Sequence, residues 1–406
     1  MEILFPIFAS LSIIGLLAYT LQIWSVRSHR CSHTPPFAGE VKSSPHFFPP
    51  VSILKPLKGL DDNLFDNLES FCRLDYPEYE LIFSLQNEND PACKVARQIK
   101  DKYPEKDITV HIERCVSGFN PKVNNLIPAY RISKYSYILI SDSNVMVRPD
   151  YLKCIVREMK GPSVGLVSNL IRGMGGYSTG AAFENLHLNS FVMGSVSFLD
   201  RFLKMPCVVG KSMLMRKHDL EAIGGFASVK DVLAEDYMIG KKMHESGKKV
   251  VLSGHLIDNV NEYWGIRKFL NRHTRWGKLR WQIGGPKYIS ELFCNPVFMA
   301  VVPVLSFGPS KLTVSFAFAV SFFKAIGDLL LGRKISADLK TSSYILGPLK
   351  DIMIGFIWFV PLFSNSVGWR GNRYLIGRDS MLSPCPESGI WSWKYKIFDT
   401  IKERLA

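Results

Sequence analysis

"YSYILISDSNVMV" (residues 135–147) is the stretch on which the fold turns. Its first half is a nearly continuous run of β-prone apolar residues, and it stops abruptly at Asp142-Ser143-Asn144. Continuous rather than alternating apolar character is what a strand buried on both faces requires, the condition of a parallel sheet sandwiched between helices. The neighbouring sequence agrees: "VSILKPLKG" (51–59) is an apolar strand running into a Pro/Gly turn, "YELIFSLQNEND" (79–90) a second, and "ITVHIE" (108–113) a third. Between them "DDNLFDNLESFCRL" (61–74), opened by aspartates placed to cap it, and "PACKVARQIKDKY" (91–103) carry helical spacing. This alternation predicts βαβ units and an α/β domain, its mostly parallel sheet flanked by helices. Ligands of such sheets bind beyond the carboxyl ends of the strands. The acids collect there: Glu88 and Asp90 after one strand, Asp142 with Asn144 after another.

The apolar residues, 47% of the 406, are unevenly spread. Ile3 to Trp24 is uncharged over 22 residues, long enough to cross a hydrocarbon core of about 30 Å as a helix. It has no basic n-region and no A-x-A-like site after it, so it reads as a retained anchor rather than a signal peptide. Leu292–Phe307, Leu312–Leu331 and the shorter Ile352–Phe363 predict further membrane segments, the short one lying in the interface or re-entering. Lys324 and Asp328 in the second block, and Lys350 and Asp351 before the third, are expected to face other helices or an aqueous pocket. Arg27 and Arg30 place the middle of the chain in the cytosol, of a bacterial inner membrane or a Golgi-type membrane. The expected division is an anchor (1–26), a linker (27–50), a catalytic domain (51–265), an interfacial helix region (266–290), membrane segments (291–365) and a basic tail (366–406). The net charge of +14, from 50 Lys+Arg against 36 Asp+Glu, suits attraction to anionic lipid; no nucleic-acid partner is expected. Eight cysteines without C-x-x-C spacing argue against a zinc site or a disulfide framework and suit a reducing compartment.

Four short motifs carry chemistry. Asp142 and Asn144, two residues apart, can face one hard cation, although an Asx turn would use the same residues. In "AEDYMIG" (234–240), Glu235 and Asp236 fall in a helical first turn, where the macrodipole favours anions, and Asp236 can act as a general base on an alcohol. In "NPKVNNL" (120–126), Lys122 stands among asparagines ahead of a helix, suited to neutralising phosphate. Gly210-Lys211-Ser212 is not a phosphate loop, because Met205 occupies the position that needs glycine. Finally, a helix over 266–282 puts Arg272, Arg275 and Trp276 on one face, continued by Lys268 and Arg280. That face suits guanidinium forks on a diphosphate with an indole stacked on a base or sugar, or equally an amphipathic helix at a lipid surface.

In order and spacing these pieces resemble the ceramide glucosyltransferase family. "ILKPLKG", "DDNLFDNLESFCRLDYPEYEL", "NDPA", "NPKVNNLIP", "DSN", "LMRK", "AEDY" and "RHTRW" with "KLR" carry the resemblance over roughly residues 50–285, and "GWRGNRYLIG" (368–377) is similar to the family's basic C-terminal segment. The resemblance implies a GT-A fold, a UDP-sugar donor, a divalent cation (Mg2+ or Mn2+), and inverting transfer of glucose from UDP-glucose to the primary hydroxyl of ceramide. By match it places Asp90 near the uridine nucleotide, Asp142 (with Asn144) at the metal and diphosphate, and Asp236 as the base. Lys122, Arg272, Arg275 and Trp276 would then bind the nucleotide sugar. Bacterial relatives that move N-acetylglucosamine from UDP-GlcNAc to a hopanoid lipid are the alternative, because "HLNSFVMGSVSFLDRFLKMP" (187–206) departs from the animal pattern. A membrane polysaccharide synthase is a second alternative, one that needs more spans.

Overall fold

The computed structural model describes residues 4–33, 47–369 and 372–385. Its centre is an eight-stranded sheet. The strands are β1 (Val51–Pro56), β2 (Tyr79–Leu85), β3 (Ile108–Ile112), β4 (Tyr137–Ser141), β5 (Val145–Met146), β6 (Val164–Gly175), β7 (Ser212–Arg216) and β8 (Lys249–Asn261). They lie in the order β3-β2-β1-β4-β7-β6-β8-β5. β3, β2, β1 and β4 are mutually parallel, as are β6 and β8, whereas β7 runs antiparallel between β4 and β6 and β5 antiparallel at the edge.

Side-chain alternation divides the sheet into two dry faces. Ile53, Leu81, Phe83 and Leu139 point to one, under helices Leu64–Cys72, Pro91–Lys102 and Tyr151–Glu158. Leu54, Ile82, Ile138 and Ile140 point to the other, under Pro121–Ile132 and Glu235–Glu245. All eight strand residues are essentially inaccessible, and each such side chain contributes roughly 1.5–3 kcal/mol by leaving water. The exception inside β1 is Lys55. It is fully buried, its ammonium lies 3.6 Å above the Phe71 ring, and burial pushes its pKa well below that of a free lysine.

The helix after β1 starts differently from the sequence expectation. Asn63, just before it, has φ 53° and makes no side-chain cap, because a capping residue needs extended backbone. The aspartates therefore reach across the molecule. Asp61 accepts from the Ser143 hydroxyl, and Asp62 accepts from the Glu262 N–H at 2.7 Å.

The first apolar helix spans Leu4–His33, past the expected boundary at 26; most of the expected linker, 34–46, lies outside the described residues, as do Glu2 and the tail beyond 385. Two helices, Leu4–His29 and Lys311–Lys334, are long and apolar enough to cross a membrane. A third is possible by length and composition if the pair Ile266–Phe293 and Pro296–Phe307, bent by 71°, counts as one span. The third apolar block is broken into Gly347–Ile357 and Val360–Phe363, each too short to span. Its acids and bases turn inward, as expected: Lys324 lies 2.7 Å from Asp328 and 3.7 Å from Asp351, and Lys350 is 2.5 Å from Asp351.

The described residues between 366 and 385, expected as part of a basic tail, carry a three-stranded antiparallel sheet, β9 (Ser366–Trp369), β10 (Asn372–Ile376) and β11 (Leu382–Pro384). It docks through backbone bonds onto the segment before helix Glu235–Glu245: Leu233 N–H donates to Ser380 O at 2.8 Å and Leu382 N–H to Asp231 O at 2.7 Å.

Candidate active site

The carboxyl ends of β1 and β4 open into a cleft of about 1060 Å3. At its floor, Asp142 follows the last residue of β4. One carboxylate oxygen lies 2.8 Å from the Lys122 ammonium and the other 2.9 Å from that of Lys211. Lys55 reaches up from β1 to donate to the Asp142 carbonyl at 2.9 Å. Burial opposes ionisation of Asp142, but Lys122 and Lys211 outweigh it and hold the carboxyl below the usual carboxylate range. The lysines respond in opposite ways. For Lys122 burial is overcome by Asp142, Glu235 and Asp236, which raise its pKa; for Lys211 burial prevails and lowers it.

Lys122 is the hinge of the constellation. Asn120 caps helix Pro121–Ile132 by accepting from the Lys122 and Val123 N–H groups, so Lys122 sits in the first turn rather than ahead of the helix. Its ammonium bonds Glu235 at 2.9 Å and the Gly210 carbonyl at 3.0 Å. The Gly210 N–H donates to Asp236 Oδ2 at 2.8 Å. A Cβ at Gly210 would overlap that carboxylate, so glycine is required there by close approach. Asp236 itself lies behind the cleft lining, half-buried. Burial first, then the Glu235 charge, raises its pKa to about 6, the range in which a carboxylate can exchange protons near neutral pH.

Helix Ile266–Gly284 forms the opposite wall. Lys268, Arg272, Arg275 and Lys278 line the cleft from it. Arg272 is clamped: its guanidinium carbon lies 5.2 Å from the Trp264 ring and 4.6 Å from the Trp276 ring, and Nε lies 3.3 Å from the fully buried Glu184. Burial raises the Glu184 pKa, but Arg272 and His273 together leave it below normal. In all, seven cationic side chains (Lys122, Lys211, Arg267, Lys268, Arg272, Arg275, Lys278) line the cleft against the carboxylates of Asp61 and Asp142. Such a cleft attracts a polyanion.

Besides Asp236, two further sequence-predicted residues, Asp90 and Trp276, do not line this cleft. Asp90 caps helix Pro91–Lys102 through the Ala92 N–H at 2.9 Å and accepts from the Gly59 N–H at 2.9 and 3.1 Å. It thus fixes the turn after β1, which carries Asp61 to the cleft. Trp276 packs on the sheet core and supports Arg272 from behind. Arg280, expected on the same face, turns away to pair with Glu291 at 2.8 Å, because the helical face rotates as it advances. Asn144 does reach the floor: its Oδ1 accepts from Lys211 at 2.7 Å. Asp142 and Asn144 therefore converge on one positive charge, the Lys211 ammonium, and two hard oxygens arranged around a common cation fit a divalent ion completed by phosphate and water. Among the described residues, the three-residue His/Cys/Asp/Glu group at ligand distance is Asp150, Cys154 and His255, none of which lines the cleft.

Lys55, Glu184, Lys211 and Trp264 escaped the sequence reading. Lys211 stood inside the rejected phosphate-loop pattern, and Trp264 two residues ahead of the basic helix was the one available signal for the guanidinium clamp.

A mostly parallel sheet flanked by helices, with a cationic cleft at its strand ends, is the architecture of a GT-A glycosyltransferase. The fold has a counterpart in the solved structure of a mannosyltransferase from Pyrobaculum calidifontis in complex with GDP-Man and Mn2+, with a TM-score of 0.50 and 16% identity over 88% of this chain and 99% of that one. Residues 7–382 match Glycosyl transferase family 21, and the chain belongs to that family. It is 28% identical over 354 residues to Ceramide glucosyltransferase 3 of Caenorhabditis elegans, covering 83% of this chain and 74% of the relative. To Ceramide glucosyltransferase 1 of the same organism it is 29% identical over 349 residues, covering 80% and 71%.

Proposed function

We propose that the protein is a membrane-bound inverting transferase that moves glucose from UDP-glucose to the primary hydroxyl of ceramide, with its catalytic domain in the cytosol. The observation that carries this reading is the pairing of Asp142 and Asp236 through Lys122 and Gly210. One acid is held charged beside the cationic wall, and the other is held at a pKa suited to taking a proton. Relatives named ceramide glucosyltransferase support the donor and acceptor.

Arg272 and Arg275, with Lys122, receive the diphosphate, and the Trp264–Trp276 clamp keeps the Arg272 guanidinium oriented without help from substrate. Asp142 and Asn144 would hold Mg2+ or Mn2+, which when bound neutralises charge on the diphosphate. Asp236 accepts the proton of the lipid hydroxyl as its oxygen bonds the anomeric carbon. The bond from that carbon to the diphosphate oxygen breaks on the opposite face, inverting the configuration and releasing UDP. The cationic residues stabilise the charge that gathers on the leaving oxygens.

Membranes containing the protein, supplied with UDP-glucose or UDP-N-acetylglucosamine and with ceramide or a polyhydroxylated hopanoid, test the reading by mass spectrometry of the lipids. Monoglucosylceramide is the expected product, abolished in Asp236→Asn. A hopanoid product would move the assignment to the bacterial activity, a lengthening polymer would move it to a polysaccharide synthase, and no product with any pair would overturn it.

A further inference from the structure

Helix Met193–Leu203, between β6 and β7 in the chain, leans on the first apolar helix near the end that leads into the catalytic domain. Gln22 Nε2 lies 3.5 Å from the Ser195 hydroxyl, His29 Nδ1 lies 3.7 Å from Asp200, and the Trp24 and Phe202 rings are 5.6 Å apart. About 20 residues of helix cross a hydrocarbon core of roughly 30 Å. A span that enters it near Leu4 thus leaves it near Trp24, and an indole suits the headgroup level. Helix Lys311–Lys334 runs alongside in the same direction. Phe316 meets Phe5 at 5.7 Å, and Leu331 and Ile335 share one buried cluster with Val26 and Met193. In a bilayer crossed by both helices, the boundary would pass along helix Met193–Leu203.

What that helix leaves uncovered lies at this level. Phe202, Leu203 and Met205 are 44%, 56% and 47% exposed, beside Trp24 at 48%. Lys204, with φ 51°, ends the helix, so these side chains stand at the apex of a turn. The Arg201 guanidinium lies over the Trp24 ring at 5.2 Å, and Lys204 and Arg27 are exposed. A cationic rim around an apolar tip complements anionic headgroups over acyl chains. Beyond the turn the chain heads inward. Val208 packs so closely on helix Glu235–Glu245 that a Cβ at Gly240 would lie 2.3 Å from its methyl, and the Gly210 N–H donates to Asp236. The stretch from Met205 to Gly210 spans at most about 17 Å of chain.

We propose that the turn Phe202–Met205 inserts into the leaflet on the catalytic side and is the portal through which the lipid acceptor reaches Asp236. Insertion stands on the two spans and the exposed tip; the portal rests on the lipid-acceptor reading above and deepens it. A lipid whose chains stay in the leaflet beside Phe202 and Leu203 raises its hydroxyl along the segment 206–210 toward the base.

The test uses the full-length protein in nanodiscs of phosphatidylcholine and phosphatidylserine. Hydroxyl radicals generated in the aqueous phase oxidise exposed methionines to the sulfoxide, and Met381, 49% exposed beside β11, is the internal standard for Met205. Met205 should oxidise at least about tenfold more slowly, the factor by which burying one such side chain favours lipid over water; equal rates overturn the insertion. A phosphatidylcholine with a diazirine in its acyl chain distinguishes lipid from a second copy of the chain as the cover. It should label the peptide carrying Phe202 and Leu203, and protection without that label overturns the proposal. Leu203→Asp should raise the KM for long-chain ceramide about tenfold, with the donor KM and the slow hydrolysis of UDP-glucose without lipid unchanged. Leu203→Trp, which suits the boundary, should keep the parent value. An Asp variant within about twofold of the parent, or an equal loss in donor hydrolysis, overturns the portal and leaves the transferase reading intact. If the unsubstituted protein glycosylates no lipid, it is the reading of function that fails, and footprinting and labelling still decide the insertion.

Discussion

Asparagine at position 236 changes one oxygen for an amide and separates catalysis from stability. In the folded protein the Asp236 carboxyl is raised from 3.8 to about 6, first by burial and then by Glu235. The folded state therefore disfavours the charged form. Unfolded protein ionises at the ordinary carboxylate pKa, so stability is highest below pH 4, falls as pH rises through 6, and stays low above it. The step from 3.8 to about 6 corresponds to roughly 3 kcal/mol, and the residual contact of the half-buried side chain with water reduces this to about 1–2 kcal/mol. Asp236→Asn removes that penalty at neutral pH while keeping an oxygen for the Gly210 N–H. The variant should melt a few degrees higher than the parent at pH 7.5 and match it at pH 4, as followed by intrinsic fluorescence in nanodiscs. At pH 7.5 it should also lose about two to four orders of magnitude in turnover, the usual contribution of a general base. Unchanged turnover refutes the assignment of the base, and a lower melting temperature at pH 7.5 refutes the electrostatic account of its pKa.

Other consequences can be checked in the same preparation. The log of kcat/KM should rise with unit slope below pH 6 and level above it as Asp236 ionises; a profile flat from pH 5 to 8 would exclude this group. Glu184→Ala leaves Arg272 and His273 without their shared counter-ion, which should cost about 3–5 kcal/mol of stability and raise the donor KM. Lys211→Met frees Asp142 and Asn144 of a competing ammonium, so calorimetry should find tighter Mn2+ binding; unchanged affinity argues against a cation at these oxygens. Asp351→Asn strips the charge partner shared by Lys324 and Lys350 and should lower the melting temperature without altering the affinity for UDP-glucose.

The central sheet was legible because each parallel strand is a short apolar run that must be dry on both faces, and β1 to β4 fall where those runs lie. The acids at their ends were legible for the same reason, since nothing in core packing calls for Asp142 after Ile140 and Ser141. Asp90 shows the limit of that logic. An Asp-Pro pair at a helix start also satisfies capping, and in the structure it does so while holding Gly59. The helical period placed Lys268, Arg272 and Arg275 on one wall but could not tell that Trp276 would turn to the core and Arg280 to Glu291. Glu184 was beyond reach. It lies 88 residues before Arg272, and its role arises only from tertiary packing that brings two helices together.

The small C-terminal sheet sets a condition on when the protein can work. Its backbone bonds to Asp231 and Leu233 steady the segment that delivers Glu235 and Asp236, yet its strands follow Asp236 by more than a hundred residues of sequence, across every apolar helix after the first. A growing chain thus carries these acids long before it carries their brace. A chain that stops short of the last strands holds Glu235 and Asp236 without these two backbone bonds.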